Sequence, residues 1–482
     1  MRVVLLTEGT YPYVRGGVST WCDDLVHGLP DVEFVVYAIV GGPQNRLEYP
    51  LPENVTRVLT VPLWGVESLR EYNHLELAPG RARDARALRS RFVPVFRALL
   101  EQIALGMQAA APGELAALLA ELYAYFREHD YDWTMRRDET WRAATDVLNA
   151  NPWHQRFMTT IEAVETLRSI YRYLIPLAIE VPQADVYHTS ASGLCALPAV
   201  VAHEGLGKPV LLTEHGVYLR ERVLALARAG FPMSDRTVKK NFFSGIVRAA
   251  YHAADAVAPV CAYNSQWEAF YGVPEERVRV IYNGVDPARF PAVEPPAGPP
   301  TVVSVARIDP LKDPLTLIAA AAVVRQRVPG VRFDLWGPAP DLEYLRECEA
   351  LIEELGLGET VRLCGATANP GAAYAAGHVV ALSSVSEGFP YSVIEGMMCG
   401  RPVVATDVGG VREAVGAFGT VVPPRRPDRL GEALVSLLSD EERARELGHA
   451  ARGHALEHFS RVTFLNNYRA LYGELTQGLV VA

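Results

Sequence analysis

Two glutamates, Glu387 and Glu395, bracket seven residues in the stretch ALSSVSEGFPYSVIEGMMCGRPVVATDVGG, residues 381–410. The pattern predicts an apolar strand over His378–Leu382, then a short loop carrying Glu387. A helix starting near Pro390 would hold Glu395 about one turn in, and a glycine turn would lead to a second strand over Pro402–Ala405. Proline suits a first helical position, where its missing N–H costs nothing. A helix N-terminus at the carboxyl end of a strand offers backbone N–H groups to a phosphate. Carboxylates flanking such a seat accept hydrogen bonds from hydroxyls, as a sugar or a ribose requires.

Further along the same logic, VARIDPLKDP places Arg307 at a strand end and Lys312 five residues on, in a loop. Both could reach one diphosphate, arginine through its planar fork and lysine as a point charge, although exposed cations more often only solubilise. In PVLLTEHG, His215 lies just past a strand's carboxyl end, where doubly wound folds place ligands; the alternative is a histidine that caps the strand. Gly16 and Gly17 open a helix over about Val18–His27. They are either a plain turn or a place where backbone approaches a diphosphate closely. No G-x-G-x-x-G fingerprint and no Walker A sequence accompany them.

These residues need strand ends to hold them, and the chain supplies two series of short apolar runs. The first comprises residues 2–6, 33–39, 55–61, 185–188, 209–216, 255–260 and 278–286; the second comprises 301–307, 332–337, 360–365, 378–384, 402–406 and 420–423. Continuous apolar runs are the mark of parallel strands buried on both faces. Between about 67 and 180 the period becomes helical, and three tryptophans (133, 141, 153) gather there, more as core than as binding surface. PAVEPPAGPP, residues 291–300, has five prolines in ten positions and is expected as a stiff linker. The expected architecture is α/β: residues 1–292 with a helical insertion, a linker at 293–300, a second unit over 301–456, and a final helix in 457–482 crossing back to the first.

SEGFPYSVIEGMMCGRPVVATDVGG resembles the E-x7-E signature of retaining GT-B glycosyltransferases of family four. TEGTYPYVRGGVSTW resembles, more narrowly, the PelF branch, cytoplasmic nucleotide-sugar transferases of Pel exopolysaccharide assembly. The resemblance implies two Rossmann-like halves facing a cleft. It assigns Arg307 and Lys312 to the donor pyrophosphate, and Gly16 and Gly17 to the donor side. Glu387 and His215 face the hexose as catalytic groups, and Glu395 takes the ribose hydroxyls. The loop Gly388, Phe389, Pro390, Tyr391 and Ser392 contacts the donor; it reads GFPYS where the family usually has a GFGLP-type loop. The base is expected near Gly337–Pro338 and Cys364–Thr367. The implied reaction is transfer of a hexose or N-acetylhexosamine from a UDP-sugar to a saccharide acceptor. Inner-membrane proteins of a secretion complex are the implied partners. Two other readings stay open: a GT-B phosphorylase or epimerase, and a nucleotide-sugar-sensing subunit with little turnover.

The composition fits this. Of 482 residues 49% are hydrophobic and 21% charged, and 56 acids against 46 bases give a formal charge of −10. Such a surface repels phosphate backbones and anionic lipid, so neither nucleic acid nor a general membrane face is expected. There is no apolar run of the length that spans a bilayer, and MRVVLLTEG reads as a first strand rather than a signal peptide. Six scattered cysteines, without C-x-x-C or zinc spacing, are expected as reduced thiols of a cytosolic protein. No D-x-D motif stands in the donor region, so no metal and no other cofactor is expected beside the UDP-sugar co-substrate.

Overall fold

Val3, Val4, Leu5 and Leu6 are fully buried in β1 (Arg2–Glu8), as a central parallel strand requires when helices cover both faces. In the computed structural model, which describes residues 1–44, 46–65, 81–106, 111–150, 159–230 and 232–478, β1 pairs with β2 (Glu33–Val40) on one side. On its other side runs β4 (Val186–Thr189). With β3 (Val55–Pro62), β5 (Val210–Glu214) and β6 (Ala256–Pro259) the sheet runs in the order β3-β2-β1-β4-β5-β6. The second sheet holds β7 (Thr301–Val305), β8 (Arg332–Trp336), β9 (Val361–Gly365), β10 (Val379–Leu382), β11 (Val403–Thr406) and β12 (Gly419–Val422). Its order is β12-β11-β10-β7-β8-β9. Each sheet thus reverses beside its first strand, as in a dinucleotide-binding Rossmann sheet, and the crevice for ligands opens at the carboxyl ends of that strand and its neighbour.

The helices that matter below are α1 (Gly17–Gly28), α2 (Leu197–Leu206), α3 (Tyr218–Arg228), α4 (Met233–Ala253), α5 (Tyr391–Met398), α6 (Glu441–His458) and α7 (Arg461–Gln477). In the second sheet, alternate residues go to opposite cores. Val380, Leu382 and Val403 pack with Val393, Ile394 and Met397 of α5, whereas Val379, Ala381 and Val404 face the other layer.

The expected helical insertion forms helices over Val93–Leu105, Pro112–Glu128, Asp138–Ala150 and Thr160–Tyr173. Phe92, Phe96 and Phe126 of this segment share one core with Val4, Leu6 and Tyr37 of the sheet, so it is a layer of the first unit. Trp133 and Trp141 are only half-buried, and the core is built instead by phenylalanine, tyrosine and leucine. Trp153 and positions 67–80 lie outside the described residues.

The chain divides into one unit of Met1–Pro259, Gln266–Arg279 and Arg469–Ala482, and another of Val260–Ser265 and Val280–Tyr468. Residues 280–292, grouped by sequence with the first half, therefore belong to the second. The run 278–286, expected as a strand, is none. Val278 makes one bridge to Val257 in the first unit and Val285 makes one to Ser460 in the second, so the segment ladders with neither sheet. The proline-rich stretch 291–300 also lies inside the second unit rather than between units, with the Glu294 carbonyl held by Arg401 Nη2 at 3.3 Å. The final helix α7 is divided at Tyr468. From Arg469 on it counts with the first unit, where Arg469 pairs with Asp31 at 2.7 Å and the Tyr472 hydroxyl meets His188 Nδ1 at 2.6 Å.

Candidate active site

In the second unit the reversal falls between β7 and β10, and both loops leaving their carboxyl ends carry expected site residues. After β7, Asp309 Oδ1 accepts the backbone N–H groups of Leu311 (2.9 Å) and Lys312 (3.1 Å), which shapes the loop. Asp309 Oδ2 pairs with Arg307 Nε at 3.0 Å, and that arginine side chain stays 56% exposed. After β10, the Val385 N–H donates to the Leu311 carbonyl (2.8 Å) and the Ser383 hydroxyl to the Lys312 carbonyl (2.9 Å). These bonds stitch the two loops together. Lys312 Nζ then lies 2.6 Å from Glu387 Oε1, which also accepts the Ser384 hydroxyl at 2.5 Å. Sequence reasoning placed Lys312 on a diphosphate and Glu387 on a sugar; the structure joins them in one ion pair.

The residues after Glu387 are anchored from behind. A Cβ on Gly409 (φ +56°) would stand 1.9 Å from the Glu387 carbonyl oxygen, so only glycine allows this approach. The Gly410 N–H donates to the Gly388 carbonyl at 2.8 Å, and Asn283 Nδ2 to the Phe389 carbonyl at 3.0 Å. The Phe389 ring is buried, tilted against Tyr282 (5.0 Å) and edge-on to Phe459 (5.1 Å). Pro390, expected at the first helical position, is instead the extended residue before α5, and no side chain caps that helix. Tyr391 and Ser392 form the first two positions of α5 and are half-buried. Glu395, five residues in, accepts the Tyr374 hydroxyl on Oε2 at 2.9 Å; burial, then the Glu395 carboxylate, pushes that phenol's pKa well up. Gly337 (φ +155°) lies so close to the Ala306 carbonyl that a Cβ would sit 1.8 Å from its oxygen, which fixes the start of the Arg307 loop.

The first unit places its candidates at the same kind of edge. His215 follows β5, and its ring meets Trp21 of α1 edge-on at 4.8 Å. Burial lowers its pKa from 6.5 to about 3, so the ring is neutral, and its Nε2 is sealed from solvent with no hydrogen-bond partner among the described residues. Gly16 is extended (φ 170°), a conformation open to any residue, and a Cβ there would meet nothing within 4 Å; the fold itself does not demand glycine at this position. Gly17 is the first residue of α1.

Several neighbours carried no sequence signal. His188, on β4, meets Thr213 Oγ1 (2.8 Å) and Tyr472 OH (2.6 Å) and packs on the same Trp21 at 5.2 Å; burial lowers its pKa to about 3 as well. Glu214 is buried against the Tyr251 hydroxyl and Glu268, and burial, aided by that second carboxylate, raises its pKa. Glu8 ends β1 and accepts the Leu194 N–H (2.7 Å), the Cys195 N–H (3.3 Å) and the Tyr218 hydroxyl (2.8 Å), besides pairing with Arg222 of α3. Among the described residues no group of three or more His, Cys, Asp or Glu stands where it could hold a metal ion.

Two parallel six-stranded doubly wound sheets, covering the whole chain, define the GT-B class. Residues 1–276 match the family described as "Domain of unknown function (DUF3492)", and residues 286–454 match "Glycosyl transferases group 1". The chain belongs to the group 1 glycosyltransferases, with an amino-terminal half of the DUF3492 family. It is 32% identical over 266 residues to the D-inositol 3-phosphate glycosyltransferase of Nocardia farcinica, spanning 51% of this chain and 57% of that protein. It is 31% identical over 303 residues to the alpha-maltose-1-phosphate synthase of Mycolicibacterium smegmatis, spanning 57% of this chain and 74% of that one. The chain thus spans little more than half the length of the first of these relatives. Among solved structures, sucrose-phosphate synthase from Thermosynechococcus elongatus is similar over 99% of this chain and 100% of its own, at 18% identity and a TM-score of 0.62. HepE from Anabaena, solved in complex with UDP, is similar over 98% and 100%, at 17% identity and a TM-score of 0.61. Both likenesses concern the fold. No helix among the described residues is long and apolar enough to cross a membrane.

Proposed function

We propose that the chain is a retaining glycosyltransferase that takes a hexose or N-acetylhexosamine from a UDP-sugar and passes it to a growing polysaccharide. The observation that carries this reading is the Lys312–Glu387 pair at the carboxyl ends of β7 and β10, with Arg307 exposed in the same loop. A diphosphate seated there meets two cations in a partly buried setting, where charge stabilisation counts for more than in water. Arg307 and Lys312 neutralise the leaving diphosphate, which takes the proton of the acceptor hydroxyl in a front-face displacement. Gly388, Phe389, Pro390, Tyr391 and Ser392 line the donor, Glu395 holds the ribose, and Gly16 and Gly17 leave room for phosphate. His215, just past the carboxyl end of β5, is assigned to a sugar hydroxyl. With charge neutralised by side chains, the reaction needs no metal.

The amino-terminal TEGTYPYVRGG stretch supports a Pel-type exopolysaccharide role, in the cytoplasm and beside inner-membrane proteins of a secretion complex. The names of the relatives from Nocardia and Mycolicibacterium favour a second reading, in which the saccharide or polyol acceptor is small and phosphorylated. Incubation with UDP-hexoses against both acceptor types decides between them, with the anomeric configuration of the product read by NMR. Retention should be seen, and activity should persist in EDTA without strong stimulation by Mg²⁺ or Mn²⁺. An inverted product, or a metal-reversible loss of all activity, would refute the mechanism.

Arg307→Ala should weaken UDP binding by about tenfold, the loss of one charge-assisted contact, and more at low salt where screening is least. The side chain is half-exposed and, among the described residues, tied to Asp309, so the fold should stay unchanged. Unaltered UDP affinity by calorimetry would remove Arg307 from the diphosphate.

A further inference from the structure

The second unit holds a cavity of about 550 Å³ at the amino ends of β10 and β11, away from the loops described above. Its roof is the proline-rich stretch 292–300, its wall is α6, and its floor is His378–Val379 with Gly400–Pro402. The roof is tied down from below at several points. Arg452 Nη1 donates to the Phe290 carbonyl (3.1 Å) and Arg401 Nη2 to the Glu294 carbonyl (3.3 Å). His378 Nδ1 accepts the Thr301 N–H (3.1 Å), and its ring also bonds the Pro296 carbonyl. The cavity is therefore preformed.

Charge in it is distributed in a telling way. Glu441, Arg445, His449 and Arg452 fall four, four and three residues apart and share the face of α6 that lines the cavity. Arg445 Nε stands 3.9 Å from Glu294 Oε2, an ion pair beyond hydrogen-bond distance. Arg401 is buried, its hydrogen bonds among the described residues go to the carbonyls of Tyr374, Glu294 and Ala375, and the Glu294 carboxylate acts on it only through its charge. Glu294 and Glu441 add acceptors suited to hydroxyls. Among the described residues no phenylalanine, tyrosine or tryptophan lines the space, which removes the stacking surface a nucleobase would use. The volume lies within the usual range for small-molecule sites, about 300–1,000 Å³, and exceeds what a bare phosphate fills.

We propose that this cavity binds a phosphorylated sugar, with the phosphate on Arg445, His449 and Arg452 and the hydroxyls on Glu294 and Glu441. It is separate from the candidate donor site: four residues of β10, roughly 13 Å at about 3.3 Å per residue, lie between its floor and the loop that carries Glu387. The bound sugar phosphate would hold the stretch that runs directly into β7, whose far end bears Arg307.

The full chain is titrated calorimetrically with glucose 6-phosphate, free glucose and inorganic phosphate, each with and without saturating UDP. Glucose 6-phosphate should bind one to one in both conditions, glucose should not bind, and inorganic phosphate should bind at least about tenfold more weakly. Arg445→Ala and His449→Ala alter exposed side chains, and each should weaken glucose 6-phosphate about tenfold without moving Tm, the loss of one charge-assisted hydrogen bond. Absence of binding, competition by UDP, or equal affinity in both variants overturns the proposal. So does inorganic phosphate that binds as tightly as the sugar phosphate. Because the titration without UDP stands by itself, failure of the transferase reading leaves this result intact.

Discussion

Glu387→Gln should lower turnover by about ten- to a hundredfold while UDP affinity stays the same or tightens. The carboxylate is 8% exposed and receives Lys312 Nζ at 2.6 Å, so in the unliganded protein each neutralises the other. Glutamine keeps the shape and one acceptor oxygen for Ser384 but removes the charge. Lys312 is then released to a diphosphate, whereas positive charge developing at the anomeric carbon loses its stabilising carboxylate. The effect falls on the transition state and so on kcat, not on ground-state binding. Glu395→Gln supplies the contrast. Held by Tyr374 inside α5, it should act mainly on UDP and donor affinity, because a ribose contact is made equally in both states. Breaking a buried ion pair also destabilises, up to about 3–5 kcal/mol when both partners are enclosed. Lys312 is 22% exposed, so the smaller end of such a penalty applies. Thermal unfolding must therefore be recorded beside single-turnover rates. If turnover is kept while stability falls, Glu387 is a structural counter-ion. If UDP binding vanishes instead, the two glutamates have exchanged roles.

The second large effect is acid instability of the first unit. His188 and His215 both have their pKa lowered by burial from 6.5 to about 3. Between those values the unfolded chain binds a proton at each position and the folded chain does not. Stability is then full above about pH 6.5 and falls as pH drops towards 3. His215→Ala should remove one share of that slope, and the lost packing on Trp21 should lower stability by a similar amount at every pH. It should lower turnover far more than UDP affinity, since UDP carries no hexose. Activity should show no inflection near 6.5 from this ring. Denaturant unfolding from pH 7 to 4 and histidine NMR test both statements, and an imidazole titrating at pH 6–7 at either position would sink them. Glu214 acts with the opposite sign: its folded pKa is raised, so its stabilisation is lost as pH climbs above 4.5 towards the folded value.

Much of this architecture is readable from apolar runs alone. All six strands of the second sheet fall within the short, mostly apolar runs of the sequence, as expected where helices cover both faces; β8 and β9 nevertheless carry Asp334 and Arg362, which pair across the two strands. The same rule misled at 278–286, where Val278 and Val285 each make a single bridge and no ladder forms. Apolarity reports burial, not hydrogen-bond partners.

At the candidate site, placement after strand ends was legible for Arg307, Lys312, Glu387 and His215, and placement inside a helix for Glu395, since a doubly wound sheet presents its carboxyl ends to ligands wherever it occurs. Distance was not. Lys312 and Glu387 are 75 positions apart, and only the packing of β7 against β10 makes them one ion pair. The Asn283 amide on the Phe389 carbonyl and Gly409 under Glu387 likewise arise from folded proximity that no local pattern announces. His188 reads in sequence as one more strand residue, and becomes a buried neutral base only because Trp21, Thr213 and Tyr472 close around it. The proline-rich stretch looked like a linker because proline stiffens any chain; its role as a roof over a charged cavity was decided by Arg401, Arg452 and His378, which reach it from elsewhere in the unit. Local chemistry settles which elements form and which side chains stand at their ends, whereas charge pairing, burial of titratable groups and cavities depend on contacts between distant segments, which exist only once the sheets have packed.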